Sequence, residues 1–169
     1  MKTAKQFAHE LLNILDEDSN PQSLIVLVRD LCEREQVSFP PALVEKHVAE
    51  ALSILQSLGL AASRLGAFTL LALVQVGAAQ AWSEAQRKSL RLHDILIWIN
   101  EQYGVRYAEN TRESLRRDVI TPMVQAGILE HNPDQPELPA NHPKNHYAIH
   151  ASVLEKIRQL GENLVMKKL

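Results

Sequence analysis

The chain has a single cysteine, Cys32, in 169 residues. That excludes an intramolecular disulfide framework and argues against a cysteine-based zinc site. Long apolar runs are missing too. The unbroken apolar stretches are only a few residues, too short to span a bilayer, and no amino-terminal segment resembles a signal peptide. Net charge is almost absent, at −2, so the total does not advertise a polyanionic partner. No Ser-His-Asp set, glycine-rich phosphate loop or activated cysteine stands out. Cys32 lies in helical sequence beside Glu33, which discourages a thiolate, and it reads as a small core hydrophobe.

What is present is the composition of a folded protein, 46% hydrophobic and 22% charged. This excludes disorder and predicts a soluble, cytoplasmic chain. The charge is unevenly distributed. Residues 1–60 hold five Lys/Arg against nine Asp/Glu, and residues 61–169 hold thirteen against eleven. An acidic first unit and a mildly basic second one suggest different partners for the two.

The first unit, 1–60, reads as a small helical bundle. Lys2–Asp16 carries Phe7, Leu11, Leu12, Ile14 and Leu15 at helical spacing. Pro21 opens a second helix with Leu24, Ile25, Leu27, Val28 and Leu31 on one face. Pro40-Pro41 opens a third, with Leu43, Val44, Val48, Ala51, Leu52 and Leu55 inward, ended by Gly59. His9 and His47 are solitary and read as surface or core-edge residues. So small a bundle is expected to dock on the second unit or on a second copy of the chain, burying Leu24, Ile25, Val28, Leu43 and Leu52.

The second unit, 61–169, has a different rhythm. Gly66–Val76 reads as a buried helix, followed by a short segment at Trp82 and a helix over Leu92–Tyr103 that Gly104 ends. After Val105-Arg106-Tyr107, Asn110 with Glu113 three residues on resembles a capping box. The helix it opens carries Leu115, Ile120 and Met123 inward and runs toward Gly127, with a kink expected at Pro122. Strands are predicted at Ile128–His131 and His146–Ile149, separated by a loop with Pro133, Pro136, Pro139 and Pro143, before a closing helix over Ser152–Leu160. Helix, tight turn, helix, strand, long loop, strand is the order of a winged helix-turn-helix. The fold class expected is therefore mainly α: an amino-terminal helical bundle, then a winged helix-turn-helix domain with a small β-hairpin wing.

On a wheel of about 100° per residue, Leu115, Met123 and Ile120 define the buried face of the helix after Asn110. Arg112 and Arg116 fall over that face. Arg112, in the first turn, can still reach a phosphate, whereas Arg116 reads as a structural arginine with a packed stem and a carboxylate partner. Arg117 points away with Asn110, Ser114, Thr121 and Asp118. The base-edge candidates are Asn110, Ser114, Arg117 and Thr121. Glu113 and Arg117, four apart, are also a pair that any exposed helix can carry.

The string Asn110-Thr111-Arg112-Glu113, Arg116-Arg117 and Val124-Gln125-Ala126-Gly127-Ile128 resembles the amino-terminal helix-turn-helix region of BsuBI/PstI-type restriction endonucleases. So do the stretch from Asn132-Pro133-Asp134 through Asn141-His142-Pro143-Lys144-Asn145-His146-Tyr147 and the segment from Leu92-His93-Asp94 to Tyr107. The likeness covers about 110 residues, and in combination these motifs are fairly specific. It leaves the first 47 residues unexplained. It implies a recognition domain for double-stranded DNA, homodimeric on a palindrome; neither a membrane nor a small-molecule substrate is expected as a partner. Thr111 and Arg112 on the helix, and Asn141, His142 and Lys144 on the wing, complete the DNA-binding candidates, with Arg112, His142 and Lys144 near phosphates.

Such enzymes carry a separate Mg²⁺-dependent nuclease domain, in which carboxylates and a lysine converge on the metal and the scissile phosphate. Here the only Pro-Asp is Pro133-Asp134 in the wing, and no Glu-x-Lys or Asp-x-Lys follows it. The expectation is a recognition module without catalytic residues or a cofactor of its own, its nuclease domain absent from this chain. His142, His146 and His150 recur every fourth residue with His131 opposite, but strand geometry spreads them too far to share one ion, so no metal is assigned. Two other functions fit the same pattern. One is a stand-alone DNA-binding regulator with residues 1–60 as dimeriser; the other is a protein-interaction winged helix, which the negative net charge favours.

Overall fold

The computed structural model describes residues 34, 41–140 and 142–167. The first two expected helices, with His9, Leu24, Ile25, Val28 and Cys32, lie outside the described residues, as does the wing residue Asn141. Helix α1, Pro41–Ser57, is the third expected helix, opened by a proline at the position where a missing N–H costs nothing. Its inner face is Val48, Ala51, Ile54 and Leu55.

Helix α2, Arg64–Leu73, starts at Ser63, whose hydroxyl accepts the Gly66 N–H at 3.0 Å. Every residue from Gly66 to Leu73 is buried. A helix apolar on all sides must be wrapped by the other elements, and α2 is the centre of the core. The pattern predicted it to run to Val76, but Gln75 turns left-handed at φ +58°. The Val76 N–H then bonds back to Leu71 O at 3.0 Å and the Gln75 N–H to Ala72 O at 3.1 Å, a helix stop that glycine usually makes. The Gln75 side chain donates to the Ala72 carbonyl at 2.7 Å, a local bond that offsets part of the left-handed strain.

A short 3₁₀ turn, Trp82–Glu84, follows. Helix α3, Leu92–Tyr103, lies where the sequence placed it, closed by Gly104 at φ +67°. Next comes one helical rod in three parts: α4, Thr111–Leu115, a wide π turn over Arg116–Ile120, and α5, Thr121–Gln125. That turn lies just ahead of Pro122, where a kink is expected. In a regular helix the proline ring collides with the carbonyl four residues back and leaves it without a donor. Here the Thr121 N–H reaches five residues back to Arg116 O, and the widened turn ends just before Pro122. Gly127, at φ +76°, stops α5, with the Ile128 N–H on Met123 O at 2.9 Å.

Strands β1, Leu129–His131, and β2, Tyr147–Ile149, pair antiparallel with Leu129 opposite Ile149 and His131 opposite Tyr147. On the other side of β2, Leu90 and Tyr147 exchange two 2.9 Å backbone bonds. Helix α6, Ala151–Lys167, is longer than the expected Ser152–Leu160 and packs on Trp82.

Among the described residues the protein is mainly helical with one two-stranded sheet. Residues from α1, α2, α3, the rod, both strands and Ile157 of α6 form one hydrophobic core, so α1 docks on the second unit and the core is continuous across residue 60. No helix among the described residues is long and apolar enough to cross a membrane.

His47, read as a surface or core-edge residue, is buried at 6% exposure. Together with Glu50, Trp82 and Tyr103 it makes the polar centre of the α1 contact. Trp82 Nε1 donates to Glu50 Oε2 at 2.6 Å, and the Tyr103 hydroxyl donates to Val76 O at 2.7 Å.

Candidate nucleic-acid interface

The rod Thr111–Gln125 is held from below and from behind. Leu115, Val119, Ile120 and Met123 anchor it in the core. The turn that joins it to α3 is fixed by Asn100, whose amide donates to Tyr107 O at 3.0 Å and accepts the Tyr107 N–H at 2.9 Å. One side chain thus satisfies both backbone groups of Tyr107 in the turn.

Of the four base-edge candidates, Asn110, Arg117 and Thr121 are exposed, and Ser114 is half-buried at the margin of the face. Thr111 is half-buried as well. Asn110 is not a cap: it sits at φ −67°, ψ −12° without a side-chain cap bond. The free N–H groups of Thr111 and Arg112 go instead to the carbonyls of Ala108 and Glu109, at 2.9 and 3.2 Å.

The side chains of Arg112, Arg116 and Arg117 are 54%, 52% and 65% exposed. The buried stem expected for Arg116 is therefore corrected. The wheel assumed a constant angle per residue, and the π turn fits more residues into one revolution. Leu115, Val119 and Ile120 all reach the core, while Arg116 swings to its edge. The expected carboxylate partner is present: Arg116 Nη2 lies 2.5 Å from Glu113 Oε1, which holds the Glu113 carboxyl below its usual range. Arg117 pairs not with Glu113 but with Asp118, at 2.8 and 3.1 Å. Arg112 Nε meets Glu109 Oε1 at 3.0 Å, and the same carboxylate takes His93 Nδ1 at 2.9 Å.

The loop between the strands is built on Asn132, a residue whose structural role the sequence reading missed. It is 1% exposed and left-handed at φ +50°. Its N–H donates to His146 O at 2.9 Å, its side-chain oxygen accepts the His146 N–H at 2.8 Å, and its amide nitrogen donates to Asn145 Oδ1 at 2.8 Å. An Asn-Pro pair directly after a strand is the available signal, because asparagine tolerates the left-handed region and bonds nearby backbone.

Both ring nitrogens of His146 face acceptors, Nδ1 the Lys144 carbonyl at 2.8 Å and Nε2 the Asp134 carboxylate. The carbonyl first, then the carboxylate, raise its pKa, and the ring in turn lowers that of Asp134. The Lys144 N–H donates to His142 Nδ1 at 3.1 Å. His142 is half-buried and Lys144 exposed at the loop surface. The histidines thus serve separate partners: His131 stacks on Tyr147 at 5.0 Å, and His150 lies 3.3 Å from Glu130. Arg87 ties the sheet to the segment before Leu90, donating to Ile149 O at 2.8 Å and to Glu130 at 2.6 Å.

A family described as the BsuBI/PstI restriction endonuclease HTH domain matches residues 45–164. The chain is 36% identical over 118 residues to the Type II restriction enzyme BsuBI of Bacillus subtilis, covering 68% of this chain and 37% of that enzyme. It is 31% identical over 125 residues to the Type II restriction enzyme AplI of Arthrospira platensis, covering 72% and 38%. Among solved structures, SdaI restriction endonuclease is similar with a TM-score of 0.63 at 25% identity, over 68% of this chain and 39% of that one. The chain thus spans under two fifths of the length of these relatives, with 37% and 38% of the two curated enzymes covered. From the matched residues and the shared fold, this chain belongs to the BsuBI/PstI restriction endonuclease HTH domain family.

Proposed function

We propose that the chain is the double-stranded DNA recognition module of a Type II restriction endonuclease, a winged helix-turn-helix acting as a homodimer and positioning a Mg²⁺-dependent nuclease domain. The observation that carries this reading is the pairing of Leu90 with Tyr147 on the side of β2 opposite β1. The order then becomes α2, a single bridging residue, α3, the rod, β1 and β2, with β2 flanked by β1 on one side and by Leu90 on the other. In a winged helix this order would offer the outer face of the rod to a major groove, with the Asn132–His146 loop as the wing.

In this reading Arg117, Asn110, Ser114 and Thr121 address base edges, with Arg117 suited to a bidentate contact on guanine. Thr111 and Arg112 at the start of the rod, and Asn141, His142 and Lys144 on the wing, meet phosphates. Arg116, exposed in the structure, joins the phosphate group. Two copies on a palindrome present two rods roughly 34 Å apart.

Fluorescence anisotropy with labelled duplexes at a series of salt concentrations tests the proposal. Binding should weaken steeply with salt. Arg117→Ala should relax discrimination at one base pair by about 1–3 kcal/mol, whereas Lys144→Ala should weaken all sequences alike and reduce the salt slope by about one. Absence of salt-dependent duplex binding refutes it.

A further inference from the structure

Each arginine on the outer side of the rod is held by an acidic neighbour from the same short stretch of chain. Arg112 pairs with Glu109, Arg116 with Glu113 and Arg117 with Asp118. Within Glu109–Asp118 the three arginines face three carboxylates and no other charged residue, so the stretch that presents the reading face is neutral. The Arg117–Asp118 pair is the least expected. Adjacent side chains on a regular helix do not face one another, yet Arg117 Nε and Nη2 both reach the Asp118 carboxylate. The pair sits in the π turn, where the angle between successive residues is smaller.

A carboxylate gripping a guanidinium by two parallel bonds uses the same donors that a phosphate or the edge of a guanine needs. Building on the DNA-recognition reading above, we propose that Glu109, Glu113 and Asp118 are specificity-determining residues: intramolecular competitors that hold the rod's arginines until a correctly placed group on DNA replaces them. A loosely placed phosphate offers a point attraction and must break an existing pair to obtain it. A base edge in register replaces both hydrogen bonds at once. The competitors therefore suppress contact with arbitrary sequence more than contact with the cognate site, and they remove the charge surplus that drives counterion release.

The test compares Asp118→Asn with Glu155→Gln. Both raise net charge by one, but Glu155 pairs with Arg158, at 3.2 Å, within α6 and with no arginine of the rod. On a mixed-sequence duplex, Asp118→Asn should bind about threefold to tenfold tighter at low salt, with a salt slope steeper by about 0.9, the value for one added phosphate contact. Glu155→Gln should change affinity less than about twofold. Adding Arg117→Ala to Asp118→Asn should abolish the gain. Equal gains from both single variants would mean that net charge alone is responsible, and no gain from Asp118→Asn in a chain that still binds duplex would mean that the pair does not compete; either overturns the proposal. If neither the native chain nor the variants bind duplex at any salt, the DNA reading itself fails and the proposal falls with it.

Discussion

Acid should weaken this fold through one buried ring. His47 sits between Trp82 and Tyr103, with edge-on ring centroids 6.3 and 6.5 Å away, and its Nδ1 has no hydrogen-bond partner. Burial pushes its pKa from 6.5 down to about 4, against the opposing pull of the Gln80 and Ala78 backbone and with some help from the charge of Lys46. The unfolded chain takes up this proton near pH 6.5, the folded one only near 4. Between these values the unfolded state binds more protons, so stability rises with pH. The contribution is complete above about pH 6.5 and is lost as pH falls to about 4. A gap of about 2.5 units at 1.36 kcal/mol each amounts to about 3 kcal/mol, a large part of a typical domain's stability of about 5–15 kcal/mol.

Urea unfolding followed by tryptophan fluorescence, at pH values from 7 down toward 4, measures this loss. His47→Leu supplies the reference. It cannot titrate, and it strips a partner from the backbone at Ala78 and Gln80, so it should be less stable at pH 7. Its further loss on acidification should nevertheless be smaller than the native protein's by about 3 kcal/mol. Glu50, Tyr103, Lys46 and the surface carboxylates are common to both proteins and cancel in the difference. Equal losses in the two proteins would refute the assignment.

Gly161→Ala should lower the melting temperature, because its Cβ would overlap Trp82; overpacking of about 1–3 kcal/mol should exceed alanine's helix advantage of about 1 kcal/mol. Asn132→Ala should cost more stability than Asn132→Gly in urea unfolding. Both lose the amide bonds to His146 and Asn145, but only alanine keeps a Cβ in the left-handed region. The His146 ring should titrate above 6.5 by NMR, and Asp134→Asn should lower the midpoint only in part, because the Lys144 carbonyl is the larger cause. Its stabilising effect should be present below pH 6.5 and fade as pH rises through the folded value.

Features set by neighbours in the chain were legible in the sequence. Leu92–Tyr103 with Gly104 carries its own apolar period and its own stop, and the two strands carry theirs. The outward residues of the rod were legible too, because Asn110, Arg117 and Thr121 follow from where Leu115 and Met123 must point. What escaped was set by contacts distant in sequence or by single-residue geometry. Leu90 pairs through one residue, which leaves no period to detect, although that pairing carries the functional reading. Glu50 looks like one more surface acid until Trp82, 32 positions along the chain, donates to it. Gln75 ends α2 in a conformation for which its residue type gives no warning.

Arg116 departs from the wheel for a more instructive reason. A constant helical repeat from Leu115 to Met123 places it over the buried face, and the chain adopts a wider turn there. Pro122 announces a disturbance, and the chain widens the turn that precedes it. Val119 and Ile120 are buried there, and Arg116, Arg117 and Asp118 follow one another as exposed residues. A wider turn changes which side chains face out. A proline thus bears on the charge presented by the rod, although it touches no partner itself.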